Sequence, residues 1–363
     1  MNTYAEISLN AIKHNIEEIR KLLKPDVKFM AVVKANAYGH GSVAVARAAI
    51  EAGAHYLAVA NLREAIELRE AGVMSPILIL TESPTSVVDE IIQYDLTQTI
   101  YSIVEAQALS SEAQKRNKTA RVHIKIDTGM GRVGVQPSEA VAFITKVASM
   151  SGIELEGIFT HFAKAEEDKD KFTHEQFTRF GQVADKINHI QIKHAANSAA
   201  VLYHPQTHLD MVRVGLMLYG LYPQGSSRRL ISLKPALSFK SRITYLKRVP
   251  AGTPLSYGST YVTASETTIA TVPVGYADGF SRRLSNKGQV IIRGRRFPVV
   301  GRVTMDLCLV NVGESRVEVG DEVVMIGEQN GQIISADEIA RLEETISYEI
   351  VCGIGKRVPR VYK

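Results

Sequence analysis

The sequence predicts an α/β protein, a TIM-type (β/α)8 barrel followed by a mostly β C-terminal domain. Three observations carry this prediction. Eight short apolar runs alternate with helix-patterned stretches over the first two thirds of the chain. Beyond about Leu233 the texture changes to β-branched and aromatic runs broken by Gly and Pro. Side chains able to do chemistry fall just after the apolar runs, where a barrel has its working face. A doubly wound open sheet gives the same alternation, and the strand count favours the barrel.

The apolar runs lie at 29–33, 55–60, 77–80, 97–100, 122–126, 157–161, 192–195 and 211–214. Between them, segments such as 62–71 and 140–150 repeat apolar residues at three- and four-residue steps, as on an amphipathic helix. Residues 1–9 are expected to form a strand that joins the β domain, 10–230 the barrel and 231–363 the β domain. The polar, small stretch Gln224-Gly225-Ser226-Ser227-Arg228-Arg229 reads as the linker. In the second domain Leu237, Phe239, Ile243 and Tyr245 keep a period of two, and 290–292, 298–300 and 323–326 are further strand candidates.

At 363 residues, 45% hydrophobic and 22% charged, the chain has ordinary globular composition and enough length for one large and one smaller domain. Its 43 basic and 38 acidic residues are scattered, giving a formal charge of +5. Without a dense basic stripe, nucleic acid is not the expected partner, whereas small ligands carrying phosphate and carboxylate suit the modest positive bias. Cys308 and Cys352 lie among apolar residues and read as thiols in a reducing compartment, a single bridge being the alternative. Residues 1–20 lack the continuous apolar core that secretion needs, and no apolar run approaches a membrane span, so a soluble cytoplasmic protein is expected.

Lys34 ends the first apolar run and opens the segment Lys34-Ala35-Asn36-Ala37-Tyr38-Gly39-His40-Gly41, where a buried strand is expected to give way to a loop. Partial burial favours the neutral amine, which is a nucleophile toward an aldehyde. His161 ends the sixth run, Asn197 and Ser198 follow the seventh, and Arg213 lies in the eighth with Gly215 and Leu216 after it. The last two loops are where a barrel commonly holds phosphate: Ser198 offers a hydroxyl, and Gly215 lets backbone N–H groups approach an oxyanion. Taken singly, Arg213 reads as a strand-end ion pair, His161 as a core histidine and Gly215 as a turn. The joint placement distinguishes them from such residues.

Several segments together resemble alanine racemases. They are Ala31-Val32-Val33-Lys34-Ala35-Asn36-Ala37-Tyr38-Gly39-His40-Gly41, Ile126-Asp127-Thr128-Gly129-Met130-Gly131-Arg132-Val133-Gly134, Thr160-His161-Phe162-Ala163, Asn197-Ser198 and Met211-Val212-Arg213-Val214-Gly215. In the second domain, Leu255-Ser256-Tyr257-Gly258, Val274-Gly275-Tyr276-Ala277-Asp278-Gly279, Met305-Asp306 and Tyr348-Glu349 extend the likeness over almost the whole chain. The resemblance implies pyridoxal 5'-phosphate held by Lys34 as an internal aldimine, and a homodimer in which Tyr257 and Met305 enter the partner's site. Lys34 and Tyr257 then serve as the two bases, for the D- and the L-amino acid respectively. A phenol is a base near neutrality only beside a cation.

By the same resemblance Arg213 faces the ring nitrogen with His161 beside it. Guanidinium accepts no hydrogen bond, so the ring nitrogen stays unprotonated and the ring is a weaker electron sink, which limits transamination. Tyr38 and Tyr348 are implied phosphate contacts. Arg132 is implied to bind the substrate carboxylate, as are Met305 and Asp306 through a backbone N–H. Lys125 matches a lysine that family members often carbamylate, removing its repulsion from Arg132. Thr304 stands where some relatives have cysteine. The implied activity is interconversion of L- and D-alanine, supplying D-alanine for peptidoglycan. A serine or broad-specificity racemase is the enzymatic alternative, since apolar pockets reject small isosteres poorly; Tyr348 leans toward alanine. A non-catalytic cofactor carrier would omit the second domain, and a fold-type III decarboxylase would lack Tyr257 and Arg213.

Overall fold

The computed structural model describes residues 2–166, 171–187, 190–223 and 230–363, so the expected linker at 224–229 lies outside the described residues. The chain forms two compact units. One comprises Ala11–Ala37 and Ser42–Lys234, the other Met1–Asn10, Tyr38–Gly41 and Pro235–Lys363.

The N-terminal strand β1 (Tyr4–Ile7) belongs to the second unit. Eight parallel strands make the first: β2 (Lys28–Val32), β3 (Tyr56–Val59), β4 (Ile77–Ile79), β5 (Thr97–Ile100), β6 (Ala120–Lys125), β7 (Ile153–Phe159), β8 (Ile192–His194) and β9 (Met211–Val214). They neighbour one another in the order β8-β7-β6-β5-β4-β3-β2-β9. The ring closes where Asp210 N–H donates to Lys193 O (3.1 Å) and Arg213 N–H to Ala196 O (3.0 Å). The strand candidates thus fall where expected, to within a few residues at each end. Helices such as Leu62–Glu70 and Pro137–Ala148 follow from the three- and four-residue apolar spacing, burying Ala65 and Leu68 in the first and Ala140, Ile144 and Val147 in the second.

A (β/α)8 interior is usually filled by branched apolar side chains. This one is polar along one side. Thr97, Thr99, His123, Lys125, His194 and Arg213 are all buried. A β-bulge disrupts the β6–β7 register, which pairs Val122 with Leu155 and then His123 with Gly157, leaving Glu156 as the extra residue. Gly157 is where the His123 ring lies on the β7 backbone: a Cβ there would stand 2.6 Å from His123 Cε1.

In the second unit, a seven-stranded sheet runs β16-β15-β18-β10-β1-β20 with β19 on β18, built from β10 (Leu237–Arg242), β15 (Gln289–Ile292), β16 (Arg295–Pro298), β18 (Glu322–Gln329), β19 (Gln332–Ile334) and β20 (Arg360–Tyr362). Strand β1 pairs antiparallel with β10 and parallel with β20. A three-stranded sheet joins β11 (Tyr245–Val249), β14 (Thr267–Val272) and β17 (Cys308–Gly313), and β12 (Pro254–Leu255) pairs with β13 (Tyr261–Val262). Val249, Leu255, Ile269 and Val300 form a core cluster.

Two local expectations change here. The period-two run from Leu237 to Tyr245 is two strands in different sheets: Ile243 N–H donates to Asp321 O while Thr244 N–H donates to Thr271 O, and Tyr245 is 59% exposed. The strand expected at 298–300 occupies Arg295–Pro298 instead, because a two-residue turn at Arg293 and Gly294 pairs Ile292 with Arg295. The Asn330-Gly331 pair, with φ of +50° and +81°, makes the corresponding tight hairpin between Gln329 and Gln332, as Asn-Gly does where both central residues need positive φ. No disulfide joins Cys308, which is buried, to Cys352, which is exposed.

Candidate active site

Lys34 follows β2 and is half-buried. The loop expected after it is a left-handed turn: Ala35, Asn36, Ala37 and Tyr38 have φ of +53°, +54°, +51° and +52°. Left-handed backbone costs about 1–2 kcal/mol per non-glycine residue, so four in succession need external support. Glu64 supplies much of it, its carboxylate accepting the N–H of Ala35 and of Ala60, both at 2.8 Å. Asn36 Oδ1 accepts from Ser42 N–H (3.0 Å), and Ala37 N–H donates to Val33 O (2.9 Å). Glu64 was not foreseen. Its signal was the spacing Asn61-x-x-Glu64, a helix start in which Asn61 Oδ1 accepts from Glu64 N–H (3.1 Å).

Arg213 projects into the barrel, where its guanidinium donates to Thr160 O (2.7 Å), Ala195 O (2.9 Å) and His194 Nδ1 (2.9 Å) and lies 3.4 Å from His161 Nδ1. It also stands over the Phe159 ring, as does the Lys125 ammonium. Burial lowers the Arg213 pKa to about 9, which still leaves the guanidinium charged at neutral pH. Burial and then the Arg213 charge hold His161 and His194 well below the ordinary imidazole value, so both are neutral.

Lys125 is buried, and desolvation, followed by Arg132 and Arg213, lowers its pKa to about 8. Lys34 acts in the same direction on Lys125 and on His161. Lys34, Lys125, Arg132 and Arg213 therefore share one electrostatic region at the C-terminal ends of the strands, with Asp127 opposing them. Arg132 is exposed, on a loop that Asp127 shapes by accepting from Gly129 N–H and Gly131 N–H at 3.0 Å each. Gln176, also unforeseen, accepts from Ala163 N–H (2.9 Å) and donates to His161 O (3.0 Å).

The loops after β8 and β9 meet. Asn197 caps the helix Ser198–Tyr203 by accepting from Ala200 N–H (3.0 Å), and Ser198 Oγ accepts from Gly215 N–H (3.2 Å) and Met217 N–H (3.4 Å). With two donors aimed at its oxygen, the Ser198 hydroxyl keeps its own hydrogen to give to an anion. The Gly215 N–H is thereby committed to Ser198. Leu216 is buried and opens the short turn Leu216–Tyr219.

In the other unit, Tyr38 and Tyr348 stand with ring centroids 5.9 Å apart, and burial pushes the Tyr38 phenol above its ordinary value. Tyr257 is 73% exposed at the start of a tight turn between Ser256 (φ +60°) and Gly258 (φ +70°). Ser256 Oγ ties this turn to Arg302 O (2.6 Å). Met305 is 52% exposed beside Tyr276 and Leu307, with Tyr276 N–H donating to Thr304 O and Ala277 N–H to Met305 O. Arg357 holds the Asp306 carboxylate at 2.7 Å while also binding both oxygens of Asp278. Among the described residues, no group of three or more His, Cys, Asp or Glu side chains is placed to hold a metal ion, and no helix is long and apolar enough to cross a membrane.

Fold and site together define a class: two-domain proteins in which a (β/α)8 barrel presents a lysine and an arginine at its C-terminal face and a β domain follows. The alanine racemase N-terminal domain model matches residues 7–223, and the alanine racemase C-terminal domain model residues 236–362. An alanine racemase of Halothermothrix orenii is 51% identical over 99% of this chain and 97% of that protein. The solved alanine racemase of Clostridium difficile 630 superposes with a TM-score of 0.96 at 42% identity, covering 100% of this chain and 96% of that one. An alanine racemase structure from Bartonella henselae with covalently bound pyridoxal phosphate has a TM-score of 0.89 at 28% identity, covering 100% of both chains. The chain belongs to the alanine racemase family.

Proposed function

We propose that this chain interconverts L- and D-alanine as a cytoplasmic homodimer using pyridoxal 5'-phosphate held at Lys34, supplying D-alanine for peptidoglycan. Residues 10–230 are the cofactor-binding domain in this reading, and 231–363 with the first nine residues the β domain. The observation that carries the reading is the gathering of Lys34, Lys125, Arg132 and Arg213 at one face of the barrel, beside a serine hydroxyl with its hydrogen left to donate. That donor set fits a dianionic phosphate, an aldehyde and a substrate carboxylate.

Lys34 would hold the cofactor at its aldehyde. Asn197, Ser198 and the backbone of Leu216, with Tyr38 and Tyr348, would hold its phosphate, Gly215 contributing by the absence of a side chain and by orienting the Ser198 hydroxyl. When bound, the cofactor supplies an electron-accepting ring that acidifies the Cα proton of an attached amino acid. Arg213 keeps its proton and accepts no hydrogen bond, so it would offer the cofactor's ring nitrogen a donor only and leave that atom an acceptor, with His161 Nδ1 3.4 Å from the guanidinium. Lys34 Nζ moves the Cα proton on the face used by D-alanine, and the phenol of the partner subunit's Tyr257 moves it on the face used by L-alanine. Arg132 binds the substrate carboxylate together with the segment of the partner subunit's Met305 and the partner subunit's Asp306. Lys125, with its ammonium disfavoured, reacts with carbon dioxide, releasing a proton and giving a carbamate that neutralises Arg132.

A chiral assay with alanine and serine, with and without added pyridoxal phosphate, tests the proposal. Cofactor-dependent racemisation of alanine, faster than that of serine, is expected. Unchanged enantiomers in the presence of bound cofactor overturn it, and faster turnover of serine reassigns the substrate.

A further inference from the structure

We propose that Glu156 is the positioning residue for the Arg213 guanidinium, acting across the barrel through His194 and His123. The inference rests on the reading that Arg213 faces the cofactor ring. Its basis is a chain of contacts within the barrel: Arg213 Nη1 to His194 Nδ1 at 2.9 Å, His194 Nε2 to His123 Nδ1 at 2.8 Å, and His123 Nε2 to Glu156 Oε2 at 3.1 Å. Tyr56 donates its hydroxyl to the other Glu156 oxygen.

The hydrogens on this chain admit one arrangement. Guanidinium only donates, so His194 Nδ1 must accept. A neutral His194 then carries its hydrogen on Nε2 and gives it to His123 Nδ1. His123 in turn has its hydrogen on Nε2, directed at a carboxylate that only accepts. Every donor points away from Arg213; the donor-only guanidinium fixes that direction at one end and the acceptor-only carboxylate at the other, so without the carboxylate the imidazoles are free to reverse against Arg213. The arrangement is built by the backbone: the bulge adds Glu156 to β7, and the missing side chain at Gly157 admits the His123 ring. The His194 ring is stacked on Phe159 at 4.8 Å and 12°. A buried polar chain of this kind is stable only when every member is satisfied, so losing its end propagates to the guanidinium.

The test compares Glu156→Met, which removes the acceptor at similar length, with Glu156→Gln, whose amide oxygen can still accept from His123. In the purified proteins carrying 15N-labelled histidine, long-range 1H–15N spectra are expected to show His194 as the pure Nε2–H tautomer in the parent and in Glu156→Gln, and as a mixture in Glu156→Met. With cofactor bound, the absorption maximum is expected to move in Glu156→Met alone, with kcat falling about tenfold or more and KM within about twofold, in the range of a misplaced electrostatic group. Should Glu156→Met not fold, His123→Leu cuts the same chain and is read in the same way. An unchanged His194 tautomer in the cut chain overturns the proposal. So does a changed tautomer with an unmoved cofactor spectrum. Failure of the parent protein to develop any cofactor absorption is a separate result, which sinks the underlying assignment of Lys34 and leaves the tautomer measurement standing.

Discussion

The barrel's working face and the exposed segment of the β unit handle their functional groups in opposite ways. Arg213 is buried, with three acceptors within 2.9 Å, and Lys34 opens a turn whose Ala35 and Ala37 N–H groups are both accepted, by Glu64 and by Val33 O. Tyr257 and Met305, by contrast, are 73% and 52% exposed, with Tyr276 and Leu307 also open to solvent. Exposed apolar side chains grouped in this way mark an interaction surface. The difference teaches that the barrel's groups are fixed by folding alone, whereas Tyr257 and Met305 are left exposed, as the proposed homodimer would require.

The largest expected effect breaks the barrel half. Lys34→Ala should remove the visible absorption of bound cofactor and abolish racemisation, and colour with borohydride trapping retained in that variant would show that attachment lies elsewhere. Tyr257→Phe tests the other half and should be selective. Exchange of the Cα proton of L-alanine is expected to fall by about 10²–10⁴-fold, the usual worth of a general base, with D-alanine affected much less. Equal losses for both enantiomers would remove the two-base assignment. Mixing the two inactive variants sharpens the comparison further: if Tyr257 acts in a partner's site, heterodimers regain part of the activity, and verified heterodimers without rescue contradict it.

How far the sequence discloses each half follows from the kind of order involved. The barrel strands are legible because buried parallel strands read as apolar runs bounded by helix-patterned segments. Lys34, His161, Ser198 and Arg213 could be placed because barrel function collects after those runs. Glu156 was hidden, since a bulge is a change of register between two strands and leaves no trace in the composition of either. A signal for His123 did exist: Arg121, His123 and Lys125 alternate along a strand otherwise buried on both faces, placing polar groups inward. The left-handed turn after Lys34 was illegible, because Ala, Asn and Tyr carry no glycine signature and the support comes from Glu64, 29 residues away. The period-two run through Ile243 and Tyr245 misled because periodicity does not register a change of sheet.

A smaller effect concerns Lys125. Its folded pKa of about 8 lies below its ordinary 10.5, so between those values the unfolded chain binds more protons at this site. Stability therefore rises with pH across that window, and the full penalty of the buried ammonium applies below it. The same neutral amine is what carbon dioxide requires. In 13C-bicarbonate, a carbamate carbon resonance should grow as pH rises toward about 8 and be absent from Lys125→Ala, which should also lose that part of the pH slope in stability. A pH-independent slope difference of zero between the two proteins, with no labelled carbon, would leave Lys125 as an ordinary buried ammonium.

The smallest effect sharpens the comparison at its preorganised end. Glu64→Gln leaves one acceptor oxygen where two backbone N–H groups now end, those of Ala35 and Ala60. Ala35 is exposed, so water replaces much of that bond, and the loss should be about 1 kcal/mol rather than the larger cost of a buried orphan donor. In a chain of this length that lowers Tm by only about 1–2 °C. The turn itself, however, stores backbone strain that the carboxylate offsets, so relaxation should fall on Lys34 more than on the global fold. Cofactor affinity is then expected to weaken severalfold while Tm barely moves. A fall in Tm with unchanged cofactor affinity would mean that the left-handed turn holds its shape without Glu64, and that the order around Lys34 comes from the strand and not from the helix beside it.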